Sequence, residues 1–194
     1  MTELAEQWRS VFFETVRRHH HAVLLQEASL RGQLGQWTAA LTEVVVSACE
    51  AMGWQASAKG HKLELLPVAR HEYLSQDVMA FVEGKPRWSF PAAVMELENR
   101  QDEDHIAYAL WKVLCVRAEL RVVYCYRRSG SEVAALVQFL QNDVIAAMGI
   151  QGRMALTGQT LVVVGSRDEA GVFPYGFFKW WELEQNTGTF KIIH

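Results

Sequence analysis

The chain has 194 residues, half of them hydrophobic and 21% charged, with a formal net charge of −3. This is ordinary globular usage, enough to bury a core without disulfides or a structural metal, and one domain over 1–194 is expected. The acidic balance counts against a dedicated nucleic-acid coat protein, yet it allows an enzyme that grips nucleic acid through a few basic residues and a metal.

Residues 3–26 carry helical periodicity through Leu4, Trp8, Val11, Phe12, Thr15, Val16 and Val23. Gly32 and Gly35 break it, and a second helix is expected from Trp37 to Met52, with Gly53 as its stop. The period then changes. Lys62–Pro67 and Gln76–Val82 are read as strands, Glu83-Gly84-Lys85 as a turn, and Ala93–Glu98 as a returning strand. Asp102 opens a helix with Ile106, Leu110, Val113, Leu114 and Ala118 on its apolar face. The acids Asp102, Glu103 and Asp104 suit the positive end of its dipole. Arg121–Tyr126 and Thr160–Gly165 are apolar enough to be interior strands, with a helix over Glu132–Met148 between them. Phe177–Glu184 and Thr189–Ile193 form a closing hairpin around Asn186-Thr187-Gly188. The alternation predicts an α/β fold, a mixed sheet flanked by helices, with an N-terminal helical extension and a C-terminal hairpin.

The acids of two neighbouring strands carry the chemistry. Asp77 begins Asp77-Val78-Met79-Ala80-Phe81, and Glu96-Leu97-Glu98 closes the next strand. Side chains alternate along a strand, so Glu96 and Glu98 share one side while Met95 and Leu97 share the other. If the strands pair, Asp77 joins the two glutamates. Carboxylates so gathered raise one another's pKa unless a cation holds them ionised, and oxygen ligands suit Mg²⁺ or Mn²⁺. The competing reading is that these are solvated acids at strand ends.

The acid followed by Val-Met-Ala, the turn, the apolar strand ending in Glu-x-Glu, and the helix and strand after it resemble the PD-(D/E)xK superfamily of restriction-endonuclease-like nucleases. Glu43, ten residues ahead of Gly53-Trp54, resembles the first-helix glutamate of its Holliday-junction-resolvase-like members. The resemblance covers roughly residues 37–127, and the nuclease-like core is placed at about 37–165. It implies that Asp77, Glu96 and the Leu97 carbonyl ligate Mg²⁺ or Mn²⁺, with Glu43 an outer or water-mediated ligand. The implied catalytic set is Asp77, Glu96 and Glu98, and the implied activity is phosphodiester hydrolysis of DNA. Two positions depart from the pattern. Gln76 replaces a proline, and Glu98 stands where the family usually has the lysine that orients water and stabilises charge on the phosphate. Glutamate cannot donate that charge. Some restriction enzymes of the superfamily carry Glu-x-Glu and use metals instead. Lys112, on the following helix, is the candidate substitute, against the usual fate of a helical lysine in solvent. The alternative function is an inactive nuclease fold serving as a nucleic-acid-binding or assembly module.

Other signals rank lower. His19, His20 and His21 point about 100° apart on a helix and cannot share an ion. Tyr175, Phe177, Phe178, Trp180 and Trp181 could stack on bases, but core or homodimer contacts explain them better. Arg117, Arg121, Arg127 and Arg128 are candidate phosphate contacts whose alternative is a solvated surface. Cys49, Cys115 and Cys125 lie in apolar runs without CxxC spacing, the pattern of reduced core thiols. With no signal peptide and no apolar run of membrane length, a cytoplasmic protein without membrane contact is expected.

Overall fold

The computed structural model describes residues 3–66 and 71–193. Its frame is a mixed seven-stranded sheet in which the strands stand in chain order. They are β1 (Trp54–Ala58), β2 (Val78–Val82), β3 (Ala93–Leu97), β4 (Leu120–Arg127), β5 (Gln159–Ser166), β6 (Phe178–Glu184) and β7 (Thr189–Ile193). The three central strands β3, β4 and β5 run parallel, and every other pairing is antiparallel. The predicted α/β sheet flanked by helices is present. The interior strands are as expected: β4 is buried throughout, and Val122, Tyr124 and Val163 are fully buried. A strand covered on both faces has no need of alternation, which is why each reads as a continuous apolar run.

One face is covered by α1 (Glu3–Val16), α2 (His19–Arg31) and α3 (Leu34–Ala51), and the other by α4 (Glu103–Leu114) and α5 (Gly130–Leu140). The N-terminal helices are therefore a layer of the core, not an appended extension. Ala5, Trp8, Phe12 and Val16 put a single stripe of α1 against the sheet. Phe12 packs on Tyr124, Phe178 and Trp180 with ring centroids 5.1–5.3 Å apart. Trp8 stacks on Trp54 at 5.9 Å and donates from Nε1 to the Tyr124 hydroxyl at 2.9 Å. Phe177, Phe178 and Trp180 are thus core aromatics and cannot stack on bases.

Several boundaries differ from expectation. The single helix expected over 3–26 breaks after Val16, and α2 resumes at His19; the side chain of His19 lies outside the described residues. The third helix starts at Leu34, ahead of Trp37, because Gly32 in the left-handed region (φ 64°) ends α2 just before it. No regular strand covers Lys62–Leu66, and Pro67 lies outside the described residues. The strand beside β2 is instead β1, with Trp54 opposite Val82 and Ala58 opposite Val78. The helix expected over Glu132–Met148 starts at Gly130 and stops at Leu140, passing into one π turn (Gln141–Ile145) before α6 (Gly149–Met154). Cys49 and Cys125 are buried, and burial pushes the Cys125 thiol up to about 12; Cys115 is exposed at the end of α4, because its position falls off that helix's apolar face. Among the described residues, no helix is long and apolar enough to cross a membrane.

Candidate active site

The register Val78 opposite Met95 sets Asp77 beside Glu96 at the open end of the β2–β3 pair. Val94, two residues before Glu96, packs in the α4–α5 core, and so does Met79, two residues after Asp77. Alternation therefore sends Asp77, Glu96 and Glu98 to one side of the sheet, towards α4. The two strands hold the acids by backbone contacts. The Asp77 N–H donates to Glu96 Oε1 at 3.3 Å, and the Leu97 N–H donates to Asp77 Oδ2 at 2.8 Å.

From α4 comes Lys112. Its ammonium lies 2.7 Å from Glu96 Oε1 and donates to the Ser75 carbonyl at 2.5 Å. His105, Tyr108, Ala109 and Lys112 fall at three- and four-residue spacing on α4, and all of them line the same cleft. The cleft measures about 660 Å³ and is completed by Asp77, Glu96, Leu97, Glu98, Asn99, Arg100 and Asp104. Asp102 anchors the start of α4, its carboxylate accepting from the His105 N–H at 3.1 Å. The turn before Asp77 is strained: Leu74 and Ser75 hold φ of 53° and 57°, a region that L-residues with side chains seldom occupy. The ammonium on the Ser75 carbonyl ties that turn to α4.

Glu96 is only 5% exposed, and its carboxyl is pushed up to about 7. Burial is the main cause and the Asp77 charge adds to it; together they outweigh the Lys112 ammonium. Asp77 is also raised, first by burial, although the Leu97 N–H and Lys112 both pull it down. Glu98 is half-buried, adds its charge to that of Asp77, and accepts from the Arg100 N–H at 2.8 Å.

Asp77, Glu96, Leu97 and Glu98 are thus brought together. Glu43 is not. It sits on α3, whose apolar residues pack on the other face, and its Oε1 lies 3.0 Å from His61 Nε2. Lys112 is the residue whose importance sequence alone understates, and its signal is the shared helix face with His105 and Ala109. Among the described residues, no three His, Cys, Asp or Glu side chains form a group that could hold a metal. The donors that could are two carboxylates and the Leu97 carbonyl, an all-oxygen set of the kind Mg²⁺ and Mn²⁺ accept. Comparison with protein families, curated proteins and solved structures finds no match.

Proposed function

We propose that the chain is a divalent-cation-dependent nuclease acting on DNA, with Asp77, Glu96 and the Leu97 carbonyl as the ligands of Mg²⁺ or Mn²⁺. A cation held there polarises a phosphate and lowers the pKa of a bound water. The observation that carries the reading is the convergence of Asp77, Glu96 and Lys112 in one open cleft. Lys112 supplies, from the next helix, the positive charge that Glu98 cannot. Its ammonium sits on the ligand oxygen of Glu96, so a phosphate drawn to the acids also meets a donor for its developing charge. The backbone bond to Asp77 and the ion pair to Glu96 fix both carboxylates in place, as positioning of a phosphodiester requires. Glu98, held on one oxygen by the Arg100 N–H, keeps its other oxygen for a water in the cleft.

A second reading keeps the fold as a binding or assembly module without catalysis. It is favoured by the balance of charge already present, since Lys112 and the Leu97 N–H answer the buried Glu96 and the half-buried Asp77 without an ion. A cleavage assay with Mn²⁺ on plasmid and single-stranded DNA separates the two. The nuclease reading expects cleavage by the wild type and a loss on the order of a hundredfold in Glu96→Ala and in Lys112→Ala. No cleavage by a folded wild type that binds Mn²⁺ favours the module, whereas undiminished cleavage by Lys112→Ala would keep the nuclease and remove Lys112 from its mechanism.

A further inference from the structure

Two buried donors at the C-terminal edge of the parallel strands have no acceptor. Arg127 ends β4 at 5% exposure, Ser166 ends β5 fully buried, and the two are register partners. Cys125 and Val164, two residues earlier on each strand, pack in the α4–α5 core, so both side chains belong to that face. Arg127 Nη1 donates to the Tyr126 carbonyl at 3.2 Å. Its Nη2 finds nothing, and neither does Ser166 Oγ. Among the described residues, no carboxylate lies within ion-pair distance of Arg127. Leaving a guanidinium N–H and a hydroxyl orphaned in a protein interior is costly; Arg9 Nε, Trp37 Nε1, Gln76 Oε1, Thr160 Oγ1 and Trp180 Nε1 are orphaned too, and what sets Arg127 apart is that it also lines a cavity beside a second guanidinium.

The N-terminus of α5 stands at the same edge. Ser129 caps it, accepting from the Glu132 N–H at 3.3 Å, and Glu132 in turn accepts from the Arg128 N–H at 2.9 Å. A helix start carries partial positive charge and favours phosphate oxygens. Lys179 lies close to Gly130, paired with Glu169. A cavity of about 390 Å³ opens here, lined by Gln101, Glu103, Arg127, Arg128, Glu132 and Ala135. Two carboxylates share the lining with the two guanidinium groups: Glu132 accepts from the Arg128 N–H, and Glu103 lies in the first turn of α4. Two guanidinium groups beside a helix start are the chemistry that selects phosphate.

We propose that this cavity binds a phosphate group through Arg127, Arg128 and the start of α5, and that on a nucleic acid it takes a backbone phosphate beside the one in the carboxylate cleft. The second half rests on the nuclease reading; the phosphate site itself does not. The segment from Glu98 to Asp104 is a wall common to both places: Asn99, Arg100 and Asp104 face the carboxylate cleft, while Gln101 and Glu103 face the Arg127 cavity. In open α/β sheets, ligands gather outside the carboxyl ends of parallel strands, where both sites stand.

The test follows amide chemical shifts of the full chain in EDTA, in one arm with inorganic phosphate and in the other with a single-stranded DNA oligonucleotide lacking terminal phosphates. The expected result is that both probes move the amides of residues 128–132, that they compete, and that Arg127→Gln weakens both by about tenfold. Shifts with inorganic phosphate alone support the site and assign it to free phosphate or a mononucleotide. No shift at 128–132 with either probe, or shifts unchanged in Arg127→Gln, overturns the proposal. If Arg127→Gln fails to fold, Arg128→Ala must weaken the same shifts, and an unchanged affinity overturns the proposal equally. Neither arm contains a metal or reads cleavage, so the nuclease reading can fail while this site stands.

Discussion

On the face covered by α1–α3, large rings interlock from Trp8 to Trp180, and Trp8 donates to the Tyr124 hydroxyl, while the indole N–H groups of Trp37 and Trp180 are buried without a partner. On the face covered by α4 and α5, apolar packing stops before the strand ends, and there lie Asp77, Glu96, Lys112, Arg127 and Ser166. Both faces pack an apolar core. The second holds raised carboxyl pKa values and a strained turn at Leu74–Ser75, features that packing does not reward and that cluster where ligands bind; buried donors without a partner occur on both faces, Trp37 Nε1 and Trp180 Nε1 on the first, Arg127 Nη2 and Ser166 Oγ on the second. What distinguishes the second face is the gathered carboxylates and the strained turn, not the orphaned donors.

The largest effect expected from this contrast is on the packed face. Trp8→Ala removes a fully buried ring and orphans the Tyr124 hydroxyl, so unfolding by urea should show a loss of about 3–5 kcal/mol. Ion binding in the cleft should survive wherever the variant is folded. A loss below about 1 kcal/mol would mean that α1 is not part of the core.

Next comes the pH dependence of the acidic face. Glu96 loses its proton near its ordinary value of 4.5 in the unfolded chain but only near 7 in the native one. Between those values the native state binds more protons, so stability falls as pH rises through the window, by about 3 kcal/mol in the absence of cations. Glu96→Gln should flatten that slope. An unchanged slope would show that Glu96 is better solvated than its surroundings suggest.

The smallest effect is expected at Glu43. Its pairing with His61 is solvent-exposed, so Glu43→Ala should change stability by about 0.5 kcal/mol or less and leave cation binding intact. Lost cation binding in that variant would return Glu43 to the site.

The legibility of this molecule in sequence follows the same division. The interior strands β4 and β5 declare themselves because burial on both faces demands unbroken apolar runs. The acid pair is legible because alternation along two neighbouring strands that pair antiparallel fixes its side of the sheet. By contrast β1, Trp-Gln-Ala-Ser-Ala, lacks the β-branched residues that mark strands, and Lys62–Leu66 alternates without gaining a ladder. The roles of Lys112 and Arg127 depend on which elements pack across from them, and no local pattern records that.

The central claim is that Asp77 and Glu96 hold a divalent cation beside Lys112. Titration calorimetry of the wild type with Mn²⁺, beside Asp77→Asn and Glu96→Gln, tests it most directly. The account predicts saturable binding to the wild type at millimolar or lower concentration, and its loss in both folded variants. No binding heat in the wild type at millimolar Mn²⁺, or equal binding by all three proteins, would contradict it.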